Sequence, residues 1–119
     1  MGATNRRVRH YECEVVVSSG ADGPGPVAFV YLFDEQRQLL ASIACHSDPA
    51  RIRPAEQQEN GVILASLARE ELPTLIDLLR NEKPVFLRWE EATSTLRVTS
   101  GEEPVGEEEL KRMFSWLYV

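Results

Sequence analysis

Hydrophobic and polar residues alternate between residues 8 and 18, and this period of two predicts a half-buried β-strand. The apolar side of that strand carries Tyr11, Cys13, Val15 and Val17. A nearly continuous apolar run follows at residues 27–33, which predicts a strand that is covered on both faces. A second alternating run covers residues 38–45. The short polar turn at residues 34–37 predicts that these two runs pair as an antiparallel hairpin at the centre of a sheet.

The stretch from Gly61 to Thr99 holds most of the remaining core pattern. A strand at residues 62–67 leads into a helix that ends at Asn81, ahead of a proline that cannot continue it. The helix repeats apolar residues at i, i+3, i+4 and i+7, which predicts one buried stripe made of Leu72, Leu75, Ile76 and Leu79. Residues 84–99 then form a predicted hairpin, whose core face carries Leu87, Trp89, Leu96 and Val98.

A last helix is predicted after Pro104. Its first turn contains Glu107, Glu108 and Glu109, and the helix dipole favours negative charge at this end. Its apolar stripe consists of Leu110, Met113, Phe114 and Leu117. Trp116, Tyr118 and Val119 lie off that stripe, so we take these three residues as candidates for an interface with a second protein chain.

The predicted order of elements is β-β-β-β-α-β-β-α. It indicates an α+β fold in which a single, mostly antiparallel sheet of about six strands packs against two helices. Residues 8–119 are expected to form one domain, and residues 1–7 a flexible N-terminal tail. The four strands and helix of residues 8–81 resemble, in element order alone, the small single-stranded-DNA-binding domains of the transcriptional-coactivator and Whirly type. That resemblance includes no motif residue.

The connection at residues 46–60 is long, polar and interrupted by two prolines. Connections of this length inside a compact domain are uncommon and are often functional. A solvated insertion is the first interpretation. The alternative is a lid that closes a pocket for a small ligand or a substrate.

Charge and cysteine content narrow the classes of function. The 119 residues carry a net charge of −6, which disfavours a general nucleic-acid binder or a protein of anionic membranes. No apolar stretch approaches the roughly 20 residues that a membrane-spanning helix needs, so no membrane partner is expected. Cys13 and Cys45 each sit in an apolar run, as buried thiols of a cytoplasmic protein do, and could bridge only if their strands were neighbours.

No motif of catalysis or metal binding emerges from the reactive residues. Cys45 and His46 are adjacent, but neighbouring strand residues point to opposite faces of a sheet. His10 and Cys13 could join them only in a Cys2His2 site that lacks the usual ligand spacing. Glutamate pairs and triplets fall at turns and helix starts, where solubility and the dipole explain them: residues 70–71, 90–91, 102–103 and 107–109. We therefore assign no catalytic residue, no metal ligand and no cofactor.

The outer face of the 84–99 hairpin combines an aromatic ring with two guanidinium groups, from Phe86, Arg88 and Arg97. Such a face can stack on and neutralise single-stranded nucleic acid. It can equally form cross-strand pairs or pack on another subunit. We take these three residues as a candidate binding site.

These patterns favour a small, non-catalytic protein that acts through protein–protein contact as a homo-oligomer, with a dimer as the first expectation. Two alternatives stay open. One is a single-stranded nucleic-acid-binding module that uses the 84–99 hairpin face. The negative net charge of the chain disfavours nucleic acid as a partner. The other is a ligand binder or enzyme closed by the loop at residues 46–60.

Overall fold

The computed structural model describes residues 3–17 and 25–101. Over these residues the fold is α+β, with eight strands in two sheets and one α-helix. The elements are β1 (Ala3–Val8), β2 (His10–Val15), β3 (Ala28–Phe33), β4 (Leu39–His46), β5 (Glu56–Gln57), β6 (Ile63–Ala68), α1 (Leu72–Asn81), β7 (Val85–Glu90) and β8 (Thr95–Thr99). Short 3₁₀ turns at Pro49–Arg51 and Arg69–Glu71 precede β5 and α1.

The prediction of a single sheet of about six strands is wrong. One sheet has three antiparallel strands in the order β1-β7-β8. The other has five strands in the order β2-β3-β4-β6-β5. Within it, β4 and β6 run parallel, and the other neighbours are antiparallel. The second predicted helix, after Pro104, lies outside the described residues.

The division into two sheets occurs at Arg9, inside the stretch that the alternation predicts as one strand. Val8 pairs with Val85 in the small sheet, whereas His10 pairs with Phe33 in the large one. The Arg9 N–H donates to the carbonyl of Phe33 over 2.8 Å, which holds the chain at the point where it changes sheets. Residues 3–7, assigned above to a flexible tail, lie in β1 and pair with β7.

The hairpins and the helix predicted within the central part of the chain are confirmed. In the β3–β4 pair Val30 lies opposite Ile43, and β7 pairs antiparallel with β8. The helix ends at Asn81, and the stripe residue Leu79 is buried. These elements are specified by local patterns, which is why the sequence predicts them.

The core lies between the two sheets, with α1 against it. Val30 and Leu32 of β3 are fully buried, and Val85, Leu87 and Trp89 of β7 are buried as well. That cluster comprises Val8, Val30, Leu32, Leu40, Ala41, Ile43, Ile63, Leu79, Val85, Leu87 and Trp89. The inner face of the large sheet is therefore covered by α1 and the small sheet along β3. The outer face of β3 carries the alternate side chains, none of which belongs to the core cluster.

The connection at residues 46–60 runs back along the free edge of β6. The Arg53 N–H donates to the hydroxyl of Ser66 (3.3 Å), and β5 pairs with the start of β6. The Ala55 N–H donates to the carbonyl of Ser94, at 3.0 Å, in the turn between β7 and β8. This segment thus protects a sheet edge and links the two sheets.

Candidate functional site

A ridge of aromatic rings crosses the outer face of the large sheet. Alternation along β3 directs Phe29, Tyr31 and Phe33 outwards, and all three are half-buried. The rings of Phe29 and Tyr31 stack nearly parallel, with centroids 6.0 Å apart and an interplanar angle of 6°. The sequence predicted β3 as covered on both faces, but these outward residues do not belong to the described core cluster.

Small side chains lie beside this ridge. Ala44 pairs with Phe29, and Ser42 pairs with Tyr31. On the next strand Ser66 pairs with Ala44 and lies on the same face. We call the residues Ser42, Ala44, Ser66 and Ala68 the small-residue trough, and the ridge and trough together the aromatic face. Leu64, at the end of the trough on β6, is 42% exposed.

Carboxylates border the ridge on its other side. Glu12 pairs with Tyr31, and Glu14 pairs with Phe29, so both acids lie next to the rings. Partial burial raises the pKa of the Tyr31 hydroxyl above its usual value. The charge of Glu14, hydrogen bonding to that carboxylate, and the charge of Glu12 raise this pKa further. The aromatic face is therefore uncharged at its centre and acidic at one rim.

The small sheet presents a second surface, which contains the predicted trio. The register places Phe86, Arg88 and Arg97 on its outer face, with Arg88 directly opposite Arg97. We call these residues, together with Arg7, the basic face. Arg7 pairs with Phe86 across β1 and β7. Sequence reasoning missed Arg7 because residues 3–7, which show no alternation of apolar and polar residues, were assigned to a tail.

Charges on the basic face are partly compensated. Arg97 forms an ion pair with Glu90 on the neighbouring strand. Arg7 and Arg88 form no ion pair with any of the residues in the two described ranges. Their guanidinium groups therefore keep their positive charge available to an acidic partner.

A small cavity of about 160 Å³ lies at the end of the loop proposed as a lid. Gln57, Asn60 and Gly61 border it from the loop, and Trp89 borders it from β7. The buried Nε1 of Trp89 has no hydrogen-bond partner among the residues described. This cavity is smaller than the roughly 300 Å³ at which ligand pockets begin, so it offers little space for a substrate.

The cysteines and histidines do not converge. His10 and Cys13 face opposite sides of β2, as Cys45 and His46 do on β4. Both thiols are free, and β3 separates their strands by about 10 Å, beyond the roughly 7 Å limit for a disulfide. Burial, followed by the influence of Cys13, raises the pKa of the Cys45 thiol. Within residues 3–17 and 25–101, no three potential ligands are grouped as a metal site requires.

The interface candidates Trp116, Tyr118 and Val119 lie outside the described residues, so the structure does not locate them. None of the helices in the described part of the chain is long and apolar enough to cross a lipid bilayer. The chain matches no protein-family model, no curated protein and no solved structure.

Proposed function

We propose that the protein is non-catalytic and acts through protein–protein contact, with a second copy of the same chain bound to the aromatic face. The observation that carries this proposal is the position of the ridge of Phe29, Tyr31 and Phe33 beside the small-residue trough. Two free thiols agree with a reducing compartment, and we place the protein in the cytoplasm on that ground.

A second copy fits this face because the face is complementary to itself. In a two-fold dimer each patch meets its own copy, so the ridge of one chain can enter the trough of the other. Aromatic residues are enriched at the centres of interfaces, whereas charged residues are depleted there. Glu12 and Glu14 stand at the edge of the patch, where their carboxylates can stay hydrated.

The size of the face predicts a weak dimer. Five strands span about 24 Å across the sheet, and six residues span about 20 Å along it. Burial of this patch on both copies removes at most about 1,000 Å² from water, which is the lower limit for a specific interface. We therefore expect a dimer that dissociates on dilution.

Sedimentation velocity over a range of protein concentration tests the dimer. The expected result is a monomer–dimer equilibrium that Tyr31→Asp shifts to monomer, because the substitution places a charge at the centre of the patch. Thr95→Asp, on the outer face of the small sheet, is the matched control and should leave the equilibrium unchanged. A wild-type protein that stays monomeric at high micromolar concentration contradicts the proposal. Persistence of the dimer in Tyr31→Asp, with its loss on deletion of residues 115–119, would assign the interface to the C-terminal segment instead.

A second candidate function is the binding of single-stranded nucleic acid, and the observation that favours it is the basic face. The register adds Arg7 to the predicted trio, directly beside Phe86. Two guanidinium groups that form no ion pair within residues 3–17 and 25–101 therefore lie beside an aromatic ring. Phosphates would contact Arg7 and Arg88, and a base would stack on the Phe86 ring.

Fluorescence anisotropy with a labelled single-stranded oligonucleotide tests this second candidate. The expected result is binding that weakens as salt rises, and that weakens further in Arg88→Glu. Arg53→Glu, which makes the same charge change in the loop at residues 46–60, should retain binding. Absence of binding at low salt, or equal effects of the two substitutions, would eliminate this function.

A further inference from the structure

A groove of about 490 Å³ lies where the chain passes from the small sheet to the large one, and we call it the Arg9 groove. Residues 7–11, which join the end of β1 to the start of β2, form one side of it. Leu79 of α1, residues 82–85 at the start of β7, and Glu35 in the turn after β3 complete the lining. The volume falls within the roughly 300–1,000 Å³ that small-molecule sites occupy.

The floor of the Arg9 groove is apolar. Val8 and Val85 pair across β1 and β7, and together with Leu79 they line the groove while their exposed fractions are only 8%, 6% and 9%. All three belong to the core cluster, and Tyr11, which also lines the groove, packs against that cluster. Because packing in the core already holds these side chains, an apolar ligand can bind on them at little cost in ordering.

The rim of the Arg9 groove is charged. Among the described residues that line it, the cations outnumber the carboxylates by one: Arg7, Arg9 and Lys83 against Glu35 and Glu82. The whole chain, in contrast, carries a net charge of −6. The groove is therefore a local positive site on an acidic protein, and such a site attracts an anion.

Arg9 is the cation best placed to hold that anion. Its side chain is 39% exposed, against 71% for Glu35, so the guanidinium group is the more buried member of this ion pair. The distance of 3.9 Å between the two groups is too long for a hydrogen bond, and an exposed pair of this kind contributes little stability. The contact with Glu35 therefore leaves the planar fork of N–H donors on Arg9 open to the two oxygens of a carboxylate.

The two carboxylates at the rim limit the charge of the ligand. A dianion such as a phosphate monoester would lie close to Glu35 and Glu82, and like charges repel each other. A single negative charge, in contrast, is balanced by the excess of one cation in the lining.

We propose that the Arg9 groove binds a small monocarboxylate with an apolar body, such as a medium-chain fatty acid. The carboxylate accepts hydrogen bonds from the guanidinium group of Arg9, and Lys83 adds positive charge at the rim. The apolar chain lies on Val8, Leu79 and Val85. None of the residues that form the aromatic face lines this groove, so the site does not depend on the proposed dimer.

Nuclear magnetic resonance of the full-length, ¹⁵N-labelled protein tests the site, with octanoate as the probe at concentrations below those at which it forms micelles. The expected result is a saturable shift of the backbone amide signals of Arg9, Tyr11 and Lys83. 1-Octanol has the same chain without the charge, and should bind at least about tenfold more weakly. Octyl phosphate, with its second charge, should also bind more weakly than octanoate. Absence of a saturable shift, or equal affinity for octanoate and either analogue, would overturn the proposal.

Substitution of Arg9 gives a second test. Arg9→Gln should weaken octanoate binding by about tenfold or more, since it removes the charged donors and keeps the backbone N–H that bonds to Phe33. Arg69→Gln is the matched control and should bind octanoate like the wild type, because it removes the same charge from an exposed residue outside the groove, in the turn before α1. Equal affinities of Arg9→Gln and the wild-type protein would contradict the site.

The variant Tyr31→Asp separates this site from the dimer. It should bind octanoate like the wild type, whether or not it changes the monomer–dimer equilibrium. Loss of octanoate binding in Tyr31→Asp, or shifts centred on Phe29 and Tyr31 in the wild-type protein, would place the ligand on the aromatic face and overturn the Arg9 groove as its site.

Discussion

Cys13 and Val30 lie directly opposite each other on the same face of the large sheet, yet Val30 is fully buried and Cys13 is exposed. Strand pairing determines which face a side chain occupies. Burial depends on whether another layer covers that face, and here the core cluster packs against Tyr11 at one end of β2 but does not include Cys13. The pair therefore marks the border of the core.

The first prediction concerns the stability of the core on the inner side of this border. Leu32→Ala should lower the free energy of unfolding by about 2–5 kcal/mol, because Leu32 is fully buried and its removal leaves a cavity. Leu39→Ala is the same substitution at a residue that is 38% exposed, and should cost much less, within about 0.5 kcal/mol. Urea denaturation of both variants measures the difference. Equal losses would show that the core does not lie where the structure places it.

The second prediction concerns Gly61 and Gly101, whose backbone φ angles are positive. At Gly61 φ is 89° and a Cβ would meet no atom within 4 Å, so Gly61→Ala should cost only backbone strain, about 1–2 kcal/mol. At Gly101 φ is 77°, and a Cβ would also meet the Phe86 ring, so Gly101→Ala should cost more.

Denaturation of the two alanine variants in the wild-type and Phe86→Ala backgrounds separates these contributions. The excess cost of Gly101→Ala should disappear when the ring is removed, because only backbone strain remains. The cost of Gly61→Ala should be the same in both backgrounds. An excess that survives Phe86→Ala would refute the close approach of Gly101 to the ring.

The third prediction concerns the ionisation of Tyr31. Because partial burial and Glu14 raise its pKa, the folded protein keeps the hydroxyl proton at pH values where the unfolded chain has lost it. The raised pKa therefore contributes to the free energy of unfolding. This contribution is fully present below the pKa of about 10 in the unfolded chain, and it is lost as the pH rises through the pKa of the folded protein.

Absorbance titration of tyrosinate checks this direction, with Tyr31→Phe used to assign the transition. Glu14→Gln should lower the midpoint of the Tyr31 transition, since it removes a neighbouring negative charge. Glu35→Gln, in the turn after β3, is the control and should leave the midpoint unchanged. A midpoint that does not respond to Glu14→Gln would exclude this carboxylate as a cause.

The candidate surfaces differ in how far the sequence predicted them. The outward direction of Phe86, Arg88 and Arg97 follows from alternation within one hairpin, so the sequence predicts it. Arg7 joins them only because β1 pairs with β7, which is nearly 80 residues away along the chain. The aromatic face was missed for a similar reason. A nearly continuous apolar run such as β3 predicts cover on both sides, and the sequence does not say that one side stays open.

The sequence by itself determined the elements that depend on neighbouring residues: the β3–β4 and β7–β8 hairpins, and α1 with its end at Asn81. Short turns and a helical period act over a few residues, and their patterns are visible in the chain. Only the tertiary structure decided that the strand around Arg9 is shared between two sheets, and that Cys13 lies at the border of the core. Period-two alternation is the same whichever strand becomes the partner, so the choice of partner depends on packing between distant segments.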